Sequence, residues 1–167
     1  AQVFTLLFLA VLLCLLEADR RGKRWWLIPW LALYLVWLNF HAGFVAGLAG
    51  FALHGLEQGL RRRPGRHLLL TGLLMIALIA VNPYGLHYYS YLARAIPLDR
   101  SLIGEWLPLW AVWPPLLLVG SFCVILVLYV LGRLGPSRAC GWLVLLFLAY
   151  AAFTHHRHLS MFAVAWV

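Results

Sequence analysis

Most side chains able to do chemistry in this 167-residue chain gather in four short stretches. Asn39 and His41 lie in Trp37-Leu38-Asn39-Phe40-His41-Ala42-Gly43. Asn82 and Tyr84 lie in Asn82-Pro83-Tyr84-Gly85, with His87, Tyr88 and Tyr91 just behind. Glu105 and Trp106 follow Asp99 and Arg100, and His155-His156-Arg157-His158 precedes a last apolar run. His41 can close a polar turn on itself, or hydrogen-bond a phosphate or a sugar hydroxyl without carrying charge. Glu105, flanked by apolar residues, can coordinate a divalent metal, act as a base, or pair with Arg94, Arg100 or Arg157. In the histidine run, positions 155 and 158 can share a helix face that position 156 does not reach, and Arg157 would repel a metal cation. Its planar guanidinium suits a phosphate or pyrophosphate better, through bidentate hydrogen bonds, and plain anchoring is the other reading. Asn82 can cap a helix that Pro83 begins. The apolar set of that helix is Leu86, Tyr89, Ala93 and Ile96, with tyrosines placed for anchoring or for lining a lipid groove.

The elements that must position these residues are apolar. Hydrophobic residues make up 65% of the chain, charged residues 11%, and mean hydropathy is +0.90. An ordinary water-soluble domain carries roughly 25% charged residues. The net charge of +8 does not point to nucleic acid, because the thirteen Lys and Arg sit in short clusters between apolar stretches. Cys14, Cys123 and Cys140 have no metal or disulfide spacing and read as small core residues. No phosphate-binding Gly loop or nucleophile elbow is present. The chain opens without a basic leader and stops within an apolar run, so both ends read as cut and the chain as a fragment.

These features predict an all-α fold, a polytopic transmembrane helical bundle of about six to seven spans forming a single domain over 1–167. The expected spans are 2–16, 25–39, 43–60, 67–81, 110–131 and 140–154, followed by the start of a seventh. A hairpin at Asn39–Gly43 puts the clusters at 20–24, 61–66 and 133–138 on one side. Ten of the thirteen Lys and Arg then face that side, which the positive-inside rule makes cytoplasmic. The expected location is a bacterial inner membrane. Residues 82–109 form an extracytoplasmic loop with a short interfacial helix, and the chemistry-bearing stretches gather on that outer side.

Several motifs resemble a group of large bacterial membrane proteins related to the GT-C glycosyltransferase superfamily. They are Gln2-Val3-Phe4-Thr5-Leu6-Leu7-Phe8, Trp37–Phe44, Asn82-Pro83-Tyr84-Gly85, Ile103-Gly104-Glu105-Trp106 and Arg157 at the start of a late helix. The set runs along nearly the whole chain, with Ala42 where a Gly is expected. The resemblance implies transfer of a sugar from a polyprenyl-phosphate carrier to an extracytoplasmic acceptor, with membrane lipid as a second partner. It also implies that the main catalytic acid lies upstream of this chain. Its candidate substrate-binding residues here are His41, Asn82, Tyr84, Glu105, Trp106 and Arg157, and a divalent metal is an optional cofactor. A lipid or polymer transporter, which would place ionisable residues at mid-membrane, and a non-catalytic scaffold are the alternatives.

Overall fold

A computed structural model describes residues 2–100, 102–112, 114–134 and 141–166. Among them the chain is helical throughout, without strands, and divides into two compact units, Ala1–Leu98 and Asp99–Val167. The first unit holds α1 (Gln2–Arg20), α2 (Leu27–Phe40), α3 (Phe44–Leu60), α4 (Arg66–Leu78) and α5 (His87–Ala95). The second holds α6 (Leu109–Val112), α7 (Pro114–Leu134), α8 (Trp142–Thr154) and α9 (Leu159–Trp166), with 3-10 turns at Gly104–Trp106 and His156–His158.

The transmembrane expectation is corrected here. Among the described residues no helix is long and apolar enough to cross a membrane. The reason is where the helices end. α2, α3, α4 and α8 have 14, 17, 13 and 13 residues. At a rise of about 1.5 Å per residue these fall short of the ~30 Å hydrocarbon layer. α1 has 19 residues, but Glu17, Asp19 and Arg20 occupy its C-terminal end. The stretch expected to span at 110–131 falls on α6 and α7, where several side chains lie outside the described residues. With the spans go the inner-membrane location, the cytoplasmic basic loops and the extracytoplasmic sorting of polar residues. The turns at 41–43 and 61–65 fall where the sequence placed them, and the rods between them are too short to span.

In the first unit, α2 supplies the core. Trp30, Tyr34 and Trp37, spaced along one helical face, are each fully buried. Trp37 stacks on Phe8 of α1 at 5.3 Å, Tyr34 meets Phe44 of α3 edge-on at 5.9 Å, and the Trp30 indole N–H points at Met75 of α4, 3.4 Å away. α3 approaches α2 closely because position 47 is Gly. A Cβ there would lie 2.4 Å from the Trp37 ring.

Opposite ends of this unit carry separate polar groups. At one, the buried Asp19 carboxylate of α1 accepts hydrogen bonds from Arg24 (2.8 Å), His54 of α3 (3.1 Å) and His67 of α4 (2.8 Å). Burial alone would raise the Asp19 pKa, but these hydrogen bonds and the Arg24 charge outweigh it and hold it below the ordinary value. One turn beyond His54, buried Glu57 pairs with Arg61 at 2.9 Å. Two helices stop here in the same way. Gly22 N–H bonds to Asp19 O and Lys23 N–H to Ala18 O after α1, and Arg62 N–H to Gly59 O and Arg63 N–H to Gln58 O after α3. This closure needs a left-handed residue. Gly22 provides it at φ 81°, whereas after α3 an arginine, Arg62, holds φ 53°.

The second unit packs α8 against α9 and α6, with Leu109, Val144, Leu148, Ala152, Met161 and Phe162 buried and Trp110 against Phe153 at 5.0 Å. Cys14 is exposed and Cys123 half-buried, which corrects the reading of both as core residues. Cys140 lies outside the described residues.

Replacing Asp19 with Ala is expected to cost about 3 kcal/mol in urea unfolding, because it strips a buried network of its only shared acceptor. Glu17→Ala removes a part-buried pair with Arg20 and an exposed one with Arg21 and is expected to cost no more than about 1 kcal/mol. Equal effects would show that Asp19 does not hold the helix ends together.

Candidate functional site

The six sequence-derived residues divide between the units. His41, Asn82 and Tyr84 lie in the first unit, and Glu105, Trp106 and Arg157 in the second.

His41 closes the turn between α2 and α3. Its Nδ1 accepts from the Gly43 backbone N–H at 2.9 Å and lies 2.8 Å from the Thr5 hydroxyl of α1. Nδ1 therefore carries no proton in this arrangement, and the ring is the neutral tautomer protonated on Nε2. A Cβ at Gly43 would sit 2.1 Å from the Thr5 hydroxyl and 2.8 Å from His41 Nδ1. The self-satisfied turn is thus what the Nδ1 contacts build. Asn39 ties the same end to the close of α4, donating from Nδ2 to Val81 O at 3.1 Å and to Leu35 O at 2.9 Å.

Asn82 does not cap a helix. Its Oδ1 accepts from Tyr84 N–H at 2.7 Å, its Nδ2 donates to Ile79 O, and Gly85 holds a left-handed φ of 55°. That reversal delays α5 to His87. The buried side of α5 also differs from expectation. Tyr88, Tyr89, Leu92 and Ala95 are half-buried, whereas Leu86, Ala93 and Ile96 are exposed. Tyr89 donates its hydroxyl to Ile76 O at 2.6 Å, and Tyr88 stacks on Phe44 at 6.2 Å. Tyr84, Tyr88 and Tyr91 extend that stack as a ledge with interplanar angles of 16° and 12°. Tyr84 and Tyr91 are exposed along it.

The second unit builds a denser cluster around Trp106. Extended backbone at His155 ends α8 before the 3-10 turn. A 3-10 turn eclipses residues three apart, and His158 N–H bonds to His155 O at 2.9 Å. The two imidazoles therefore meet at 5.8 Å, and both stand edge-on to the Trp106 ring, at 5.3 and 5.6 Å. His156 points elsewhere, and its backbone N–H bonds to Leu107 O at 3.1 Å. Arg157 donates from Nη1 to Glu105 Oε2 at 3.0 Å, so ion pairing is the role observed for Glu105. The Arg157 guanidinium also lies 5.6 Å from the Trp106 ring centre, and that of Arg100 lies 4.6 Å above it. Both distances suit a cation–π contact.

The chain matches no family model, no curated protein and no solved structure.

Among the described residues, no group of three His, Cys, Asp or Glu side chains is placed to hold a metal ion. Arg100 is the member of the Trp106 cluster that the motifs did not single out. Its signal was the Asp99-Arg100 pair shortly before Gly104-Glu105-Trp106. Thr5 was the missed partner of His41, and a hydroxyl inside an apolar helix was the only clue to it.

Burial lowers the His158 pKa from its ordinary 6.5, and the charges of His155 and Arg157 add to the effect. Its Nδ1 is buried and has no hydrogen-bond partner among the described residues. A histidine whose pKa falls on folding is bound by more protons in the unfolded chain, so stability is retained above pH 6.5 and lost as pH drops below it. Folding stability is expected to decline from pH 7 to pH 5, and His158→Phe should flatten that slope. NMR titration should place the His158 midpoint below 6.5; a midpoint at or above it would contradict the burial argument.

Proposed function

We propose that the chain belongs to a lipid-linked-sugar glycosyltransferase of the GT-C kind, in which Arg157 holds the phosphate of a polyprenyl-phosphate carrier. The observation that carries this reading is the exposed Glu105–Arg157 pair beside Trp106. Glu105 is 64% exposed and Arg157 29% exposed. A solvent-exposed pair of this type contributes only about 0–1 kcal/mol. An arriving phosphate, with more charge and more acceptor oxygens, competes well with the carboxylate for the guanidinium. Arg100 brings a second cation to the same indole. Trp106 adds a flat apolar surface on which a sugar ring or the first isoprene unit can rest.

Each residue then has a distinct task. Arg157 binds and orients the phosphate, Trp106 supplies the surface, and Glu105 keeps Arg157 in place between turnovers. His155 and His158 buttress the indole edge-on. Glu105 is engaged with a cation and is not assigned as the catalytic acid. Asn82, His41 and the tyrosine ledge at Tyr84 shape the other unit, where the exposed rings suit a sugar or a lipid headgroup.

The test is transfer of radiolabel from a polyprenyl-phosphate sugar by the full-length protein, which would carry the acid expected upstream of this chain, and by its variants. Arg157→Ala is expected to lower kcat/KM at least tenfold, mainly through KM, with Arg157→Lys intermediate because it loses the bidentate geometry. Glu105→Gln should leave KM unchanged or lower it. Unchanged transfer by Arg157→Ala would remove the phosphate role, and no transfer by the parent protein would favour a non-catalytic scaffold.

A further inference from the structure

An open groove of about 610 Å³ runs between α3 and α4 in the first unit, apart from every residue assigned above. That volume falls within the ordinary range for small-ligand sites. Its walls are hydrocarbon, including Ala52, Gly55 and Leu56 from α3 and Leu69 and Gly72 from α4. Along α4 the lining runs from Gly65 to Ile76, a length of about 16 Å at ~1.5 Å per residue.

Gly55 helps to keep the groove open. A glycine inside a helix costs about 1 kcal/mol relative to Ala, and it is usually kept where a neighbour comes too close for a Cβ. Here a Cβ would meet nothing within 4 Å.

Charge at one end indicates what fills it. Gly65 lies in the Arg61-Arg62-Arg63-Pro64-Gly65-Arg66 run, and Arg62, Arg63 and Arg66 are all exposed beside it. Arg61 is committed to Glu57. Arg62 moreover occupies a left-handed position that glycine fills at the matching end of α1. A cation is thus kept where the backbone favours a residue without a side chain.

We propose that this groove binds one anionic lipid, with a single hydrocarbon chain lying between α3 and α4 and its phosphate on Arg62, Arg63 and Arg66. An apolar slot closed by cations at one end is complementary to an amphiphile with one acidic head. A neutral amphiphile leaves the arginines unused, and a free phosphate leaves the slot unfilled.

Calorimetric titration with dodecyl phosphate below its micelle concentration tests this, with inorganic phosphate and dodecyl maltoside as the comparison ligands. Saturable binding of one dodecyl phosphate per chain is expected, at least tenfold tighter than either comparison. Gly55→Leu fills the slot while improving helix propensity, and is expected to weaken binding at least tenfold with an unchanged circular dichroism spectrum. The triple change Arg62→Gln, Arg63→Gln, Arg66→Gln should cause a similar loss and abolish the salt dependence. Equal affinity for dodecyl maltoside, or undiminished binding by Gly55→Leu, overturns the proposal. So does a dimer in light scattering that Gly55→Leu dissociates, since a second copy would then be the occupant.

Discussion

One buried carboxylate organises the first unit. Asp19 ends α1, and its two oxygens receive the residue that leads into α2, a histidine near the end of α3 and another at the start of α4. Four helix ends are thereby fixed against one charge. An ionised carboxylate can be kept out of water only when hydrogen bonds replace its hydration. The three donors meet that requirement, and they also set the register of the helices along one another. The tryptophan and tyrosine core of α2 then packs between rods whose ends are already aligned.

The far end of the same unit uses weaker, neutral contacts. Thr5, His41 and Gly43 meet there, and Asn39 reaches the backbone at Val81. Close packing depends on missing side chains at Gly43, which faces Thr5 of α1, and at Gly47, which faces Trp37 of α2. The bundle therefore has an ionic end and a neutral end, joined by aromatic rings. The second unit combines both styles in one place, with an ion pair, two imidazoles and an indole around the turn between α8 and α9.

Much of the helical layout was legible in the sequence. The turn at Asn39–Gly43, the break near residues 20–26 and the one at 61–65 are marked by Gly, Pro and charge, which interrupt apolar runs whatever surrounds them. The limits of α2, α3 and α8 were legible within two residues, and the error lay in reading rods of that length as spans. Hydropathy could not show that α4 stops at Leu78, or that the end of α1 folds its acid inward. Asp19 did not stand out beside the basic cluster at 20–24, because its two histidine partners lie 35 and 48 residues away. His54 and Glu57 offered a hint, since they share the stripe of α3 that carries Phe44, Gly47 and Phe51. Ionisable residues on an otherwise apolar stripe need partners, but the stripe alone does not name them. The alignment of His155 with His158 was foreseen, although a 3-10 turn rather than a helix face produces it. Asn82 was misread because Gly85 reverses the chain before α5 begins.

The Glu105–Arg157 pair joins residues 52 positions apart, whereas the Asp19 network and the ties around His41 and Asn39 close by residue 81. Chains emerge from the ribosome N-terminus first, and domains generally fold as units. The Asp19 network and the His41 turn can therefore be complete while the second unit is still being made. The Trp106 cluster must wait for the segment at 155–158, which brings Arg157 and both imidazoles to the indole and Arg100. Assembly within this stretch is thus ordered in time, with the Asp19 scaffold complete before the cationic cluster.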